Sequence, residues 1–223
     1  MTQQTPSSVE KPSIFLEKHS VIIRVWHWLT FLLVTSLILT VLLASTVLNP
    51  RNNVPIVQEV LKSKGITADN GQAFAVTHLY DDKMWELHQL FGYGLAFLFL
   101  SRIVIEFLQS HEEKNPTRIK KALFALLQSR KPEEKKDLRH YLAVKYSYLF
   151  FYGVLLVMVI TGITIAFGRD VGLSGPIRHN IKEVHGFVQY FIYAFVIFHL
   201  AGIIWADLGK AKGIVSSMIN GGK

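Results

Sequence analysis

The sequence predicts an all-α integral membrane protein, a four-helix transmembrane bundle built as a single domain over residues 1–223. Three observations carry that prediction. Four runs, 25–48, 84–108, 144–167 and 183–205, are apolar enough to cross a bilayer, which takes about 20 residues of helix. Half of all residues (50%) are hydrophobic even though the chain carries 24 Lys and Arg, so its charge is segregated from its apolar runs. And four histidines, His27, His88, His185 and His199, lie within those runs, where a polar ring is costly unless it has a function.

Composition removes several classes of chemistry. There is no cysteine, which excludes thiolate-held iron–sulfur clusters, disulfide frameworks, thiolate-ligated haem and haem attached through Cys-x-x-Cys-His. The formal net charge of +8 reads as cytoplasmic loops rather than as a nucleic-acid surface, because membrane proteins concentrate Lys and Arg on that side.

Residues 1–23 form a polar tail with Pro6 and Pro12. It lacks the short apolar region and small-residue cleavage site of a secretory signal, so the first apolar run is expected to remain in the mature chain. That run, 25–48, has no charged side chain and opens within Arg24-Val25-Trp26-His27-Trp28. Arg24 and both tryptophans suit the headgroup region; His27 is the odd residue there. Residues 49–83 are a polar connection with four basic and four acidic residues, in which 55–64 predicts a short surface helix. A connection this long is usually functional or faces a partner.

The second span, 84–108, opens with Trp85-Glu86-Leu87-His88 and carries Arg102 and Glu106 near its far end, four residues apart and so able to pair on one face. Residues 109–143 hold nine Lys and Arg against five acids. Within them, about 117–129 is predicted as an amphipathic helix, with Ile119, Leu123, Leu126 and Leu127 on one side, suited to the membrane surface or a partner. The third span, 144–167, has Gly153 and Gly162 as close-packing positions and no histidine. A short loop, 168–181, leads into the fourth span, 183–205, and 206–223 is a polar, glycine-rich tail.

Charge orients these spans. With both termini on one side, that side carries fifteen Lys and Arg against seven on the other, which places both termini in the cytoplasm. His27 then lies at the inner surface, His88 and His185 lie at the outer surface, and His199 lies near the inner one. His185 and His199 are 14 residues apart. At roughly 100° and 1.5 Å per residue they share one helix face and stand about 21 Å apart along it. The histidines thus sort by depth into two pairs, His27 with His199 and His88 with His185.

Two imidazoles facing each other across a bundle are the usual axial ligands of a b-type haem that carries electrons and offers no open position to substrate. Zinc or copper also takes imidazole, but each pair lacks a carboxylate or thiolate at matching depth. A proton relay would need a chain of titratable groups, and the spans hold few. His19, His78, His111, His140 and His179 lie in the tail or loops and read as surface residues. Arg102, 14 residues after His88, shares its face at the inner depth, where it meets either a haem propionate or Glu106. Arg178 and Lys182 are weaker candidates for the same task at the outer site.

These residues resemble a known family, the b-type cytochrome subunit of membrane-bound nickel–iron hydrogenases, within the bacterial cytochrome b561-type di-haem proteins. The matching segments are Arg24-Val25-Trp26-His27-Trp28-Leu29-Thr30, His88 through Arg102, Ile160-Thr161-Gly162, the His185/His199 pair and Val215-Ser216-Ser217-Met218-Ile219-Asn220-Gly221. Leu138-Arg139-His140-Tyr141 stands where a Gly-His-Asn-Pro-like motif is expected.

The resemblance implies a bacterial inner-membrane, multi-pass anchor and electron-transfer subunit with two non-covalent b haems. It would receive electrons from a hydrogenase-like periplasmic catalytic subunit and pass them to membrane quinone. The His88/His185 centre would lie on the donor side and the His27/His199 centre on the cytoplasmic side, with quinone within reach of Arg24, His19 or Arg102. The lipid bilayer is its surroundings, and a second copy of the chain is a further candidate partner. The competing expectation is a stand-alone cytochrome b561-type enzyme that oxidises an external reductant such as superoxide and reduces quinone unaided.

Overall fold

A computed structural model describes residues 20–108, 114–209 and 213–221. His19, His111 and most of the expected tail lie outside the described residues. Among the described residues there are seven α-helices and no strand: α1 (Val21–Ser45), α2 (Pro50–Ser63), α3 (Asn70–Leu108), α4 (Asn115–Gln128), α5 (Pro132–Phe167), α6 (Gly175–Leu208) and α7 (Ile214–Asn220). Four of them, α1, α3, α5 and α6, are long and apolar enough to cross a membrane. Large apolar side chains along them, such as Leu32, Phe97, Ile160 and Phe198, stay exposed. That is stable only where lipid is the solvent.

Three of these helices begin well before their apolar runs, for local reasons. At α3, Gln72 N–H donates to Asp69 Oδ1 (2.8 Å) and Asp69 N–H to Gln72 Oε1 (3.1 Å). This reciprocal capping box satisfies two of the free amides at a helix start. The helix then continues through polar residues supported by Lys83–Glu86 (2.6 Å) and by Trp85 Nε1 donating to Asp81 (3.1 Å). At α5, Pro132 occupies the first turn with Glu133 and Glu134, a pre-set φ followed by two carboxylates at the positive end of the helix dipole. α6 starts at Gly175-Pro176, where the proline supplies the same pre-set φ without an acidic residue in the first turn.

The chain packs as two bodies. In the first, Val25–Leu108 together with Gly153–Phe191, α2 packs against α3. Gln58 Nε2 holds that contact by donating to Asn70 Oδ1 (2.9 Å), and α3 buries Ala73 and Thr77. α1 meets α3 where Leu33 Cδ1 would lie 3.3 Å from any Cβ at Gly94. A side chain at that position would need Leu33 to shift by a few tenths of an ångström. Trp26 Nε1 also donates to the Leu98 carbonyl (2.8 Å). α3 meets α5 through the stacked rings of Tyr93 and Phe167, 5.9 Å apart.

The second body comprises the other described residues. Here α4 turns Ile119, Ala122, Ala125 and Leu126 onto Leu138, Tyr141 and Leu142 of α5. The face expected to carry Ile119, Leu123, Leu126 and Leu127 together is therefore rotated. Leu123 and Leu127 stay exposed with Phe124, because the small Ala122 and Ala125 allow closer approach to α5. In the last segment, expected as a plain tail, 214–220 form α7. Its C-cap Gly221 is left-handed (φ 82°), and Arg24 Nη1 donates to the Ile219 carbonyl (2.9 Å).

Candidate metal centre

In the first body each of the four long helices contributes one group to a single site: Thr40 from α1, His88 from α3, Thr161 from α5 and His185 from α6. The His88 and His185 rings face each other with centroids 6.5 Å apart and planes at 84°. Two imidazoles on opposite faces of one first-row metal have centroids roughly 6 Å apart, given a metal–nitrogen bond of about 2 Å and a ring nitrogen about 1 Å from its centroid. The separation fits one bis-imidazole centre.

Neither ring is free to turn. His88 Nδ1 is hydrogen-bonded to Thr40 Oγ1 (2.9 Å) and His185 Nδ1 to Thr161 Oγ1 (2.7 Å). Trp85, one turn before His88, packs edge-on to its ring at 5.6 Å. Gly162 lies under His185: a Cβ there would come 3.2 Å from Cε1 and 3.8 Å from Nδ1. The ring therefore occupies the room a side chain would need, whereas a Cβ at Gly153 would meet nothing within 4 Å. Of the two glycines expected to serve close packing, only Gly162 has a ring against it.

His27 is in the first body and His199 in the second. His27 packs edge-on to Trp28 at 5.5 Å, and one turn later Thr30 Oγ1 is buried with no hydrogen-bond partner among the described residues. Arg102, also in the first body, is buried. Its guanidinium pairs with Glu106 (2.9 Å) and lies 5.9 Å from the centroid of the Trp26 ring. In the second body His199 stacks on Phe195, one turn earlier, with centroids 5.5 Å apart and planes at 11°. Phe195 in turn stacks on Phe151 of α5 at 4.2 Å. Arg24 spends one guanidinium nitrogen on α7, with Gly221 directly against the same group.

Sequence reasoning passed over Thr40 and Thr161 as ring partners. Thr40 left one usable signal, a polar side chain within a wholly uncharged apolar run. Thr161 sat inside the quoted Ile160-Thr161-Gly162 segment without a stated function. His78, read as a surface histidine, pairs with Asp82 (3.0 Å) and is partly buried.

The family model described as prokaryotic cytochrome b561 matches residues 18–221. No curated protein and no solved structure matches the chain.

Proposed function

The chain belongs to the prokaryotic cytochrome b561 family, and from that premise we propose that it is the di-haem membrane anchor and electron-transfer subunit of a respiratory oxidoreductase. Membership in that family makes it a multi-pass membrane b-type cytochrome that binds haem and takes part in electron transfer. The further reading assigns one haem to His88 and His185 and a second to His27 and His199. It also places a hydrogenase-like catalytic subunit in the periplasm as donor, and membrane quinone as acceptor on the cytoplasmic side, with both termini in the cytoplasm.

The observation that carries this reading is the His88/His185 pair: two imidazoles at bis-ligand separation, each held through Nδ1. Bound b haem supplies reversible one-electron exchange at iron. The chain supplies the two ring nitrogens, keeps the rings from turning through Thr40 and Thr161, and clears space for one of them at Gly162.

The His27/His199 assignment rests on helix periodicity and on the matched depths that charge orientation gives. The buried Thr30 Oγ1 beside His27, without a hydrogen-bond partner among the described residues, marks polar capacity left over in that region. Arg102, buried next to Trp26, is the cation placed to meet a carboxylate such as a haem propionate. Arg24, already donating to α7, is the secondary candidate for a propionate or quinone contact.

The test is purification from the native membrane, followed by a reduced-minus-oxidised spectrum, haem-to-protein stoichiometry and identification of co-purifying chains. Two b haems per chain together with a hydrophilic redox subunit are expected. One haem per chain would overturn the di-haem assignment. Quinone reduction by superoxide in the isolated chain, with no co-purifying subunit, would overturn the anchor role in favour of a stand-alone enzyme.

A further inference from the structure

We propose that Thr40 and Thr161 are positioning residues that fix the proton of His88 and of His185 on Nδ1, present both Nε2 atoms to iron, and hold down the reduction potential of that haem. This rests on the reading of His88 and His185 as its axial ligands.

The proton assignment follows from donor and acceptor capacity. Thr40 Oγ1 lies 2.8 Å from the Leu37 carbonyl, and Thr161 Oγ1 lies 2.7 Å from the Val157 carbonyl. A carbonyl oxygen only accepts, and a hydroxyl has one proton to give. Each hydroxyl therefore donates into the preceding turn of its own helix and has only lone pairs left for the histidine. At 2.9 and 2.7 Å, the histidine Nδ1 must be the donor in both contacts. With Nδ1 protonated, a neutral imidazole carries its lone pair on Nε2, the form that binds a metal.

The arrangement is the same on both sides. α1 and α5, which carry neither of these two ligands, each supply one threonine to a ring on another helix. A histidine that donates from Nδ1 gains imidazolate character and becomes a better donor to iron, which favours the oxidised state. The acceptors here are neutral, a hydroxyl at each ring and the Leu37 carbonyl as well at His88, so the effect is modest and smaller at His88 than at His185. Removing it raises the potential of this haem and leaves the other untouched.

The experiment uses the full-length, haem-loaded protein with Thr40→Val, Thr161→Val, Thr40→Ser and Thr161→Ser. The readouts are potentiometric titration of both haems and electron paramagnetic resonance of the oxidised protein. In Thr161→Val the reduced-to-oxidised ratio of one haem at fixed potential is expected to rise about threefold, equal to about 30 mV for a one-electron couple, and in Thr40→Val to rise by less, because the Leu37 carbonyl still accepts from His88. Its low-spin signal is expected to shift as the ring turns. The serine variants restore both values, because serine keeps the acceptor. Loss of that haem from the valine but not the serine variants supports the same role.

Unchanged potentials in the valine variants, equal shifts in both haems, or serine variants as displaced as valine would each overturn the proposal. His88→Ala and His185→Ala separate this from failure of the ligand reading. If these variants keep both haems, the ligand assignment is wrong. If they lose one haem while the valine variants titrate as wild type, the ligands stand and the threonine proposal alone falls.

Discussion

Replacing Gly162 with alanine asks whether α5 is shaped to the His185 ring. The new Cβ would lie 3.2 Å from Cε1 and 3.8 Å from Nδ1, while non-bonded carbons prefer about 3.5–4.0 Å. The ring must retreat by a few tenths of an ångström. It cannot do so freely, because Thr161, the neighbouring residue, holds Nδ1 at 2.7 Å and the opposing His88 ring is 6.5 Å away. Overpacking of this kind costs about 1 kcal/mol at the low end of its range. Alanine also gains about 1 kcal/mol over glycine inside a helix.

The two effects act on different observables. Fold stability should change by no more than about 1 kcal/mol, since strain and propensity offset each other. Affinity for the His88/His185 haem should fall about fivefold, the equivalent of about 1 kcal/mol. The assay is haem retention on dilution or haem titration of the depleted protein, with thermal unfolding run in parallel. Gly153→Ala is the control, because a Cβ there meets nothing within 4 Å. If Gly162→Ala retained both haems as firmly as Gly153→Ala, or lost the other haem instead, the inferred fit between Gly162 and His185 would be wrong.

Three other predictions follow from the same geometry. His88→Ala or His185→Ala should leave about one haem per chain, and His27→Ala or His199→Ala should remove the other, since a lost axial ligand opens the iron; two haems in any of these variants would refute the pairing, while His140→Ala should keep both. Arg102→Met should destabilise the fold by about 2–3 kcal/mol, because it strands a partly buried carboxylate at Glu106. Adding Glu106→Gln should recover most of that loss in a thermal melt, and a double variant no better than the single would argue against the pair. Arg24→Ala should remove the donor at the end of α7 and cost about 1 kcal/mol locally, seen as faster amide exchange over 214–221; unchanged exchange there would rule out the capping role.

How far the sequence reached follows from the physics of each feature. Hydropathy alone determined the fold class, because a segment in lipid must satisfy every backbone group within itself, and a long uncharged run can do so only as a helix. The rarity of histidine in such runs singled out His27, His88, His185 and His199 as candidates, the 3.6-residue repeat put His185 and His199 on one face, and the charge of the connections gave the expected depths. The early starts of α3 and α5 were also within reach, since Asp69-x-x-Gln72 and Pro132-Glu133-Glu134 are local signals that hydropathy outweighed.

Other features depended on contacts between distant segments. Thr40 meets His88 across 48 positions and Thr161 meets His185 across 24; neither distance follows a helical period. The face α4 turns inward was decided by how closely Ala122 and Ala125 let it approach α5, not by its own apolar pattern. Arg24 reaches Ile219 from 195 positions away, which gives the chain's last segment a helix end to rest on. The sequence by itself determined which side chains are out of place in lipid. Only the tertiary structure decided what each of them touches, because hydropathy and periodicity are properties of one helix and a ring's partner belongs to another.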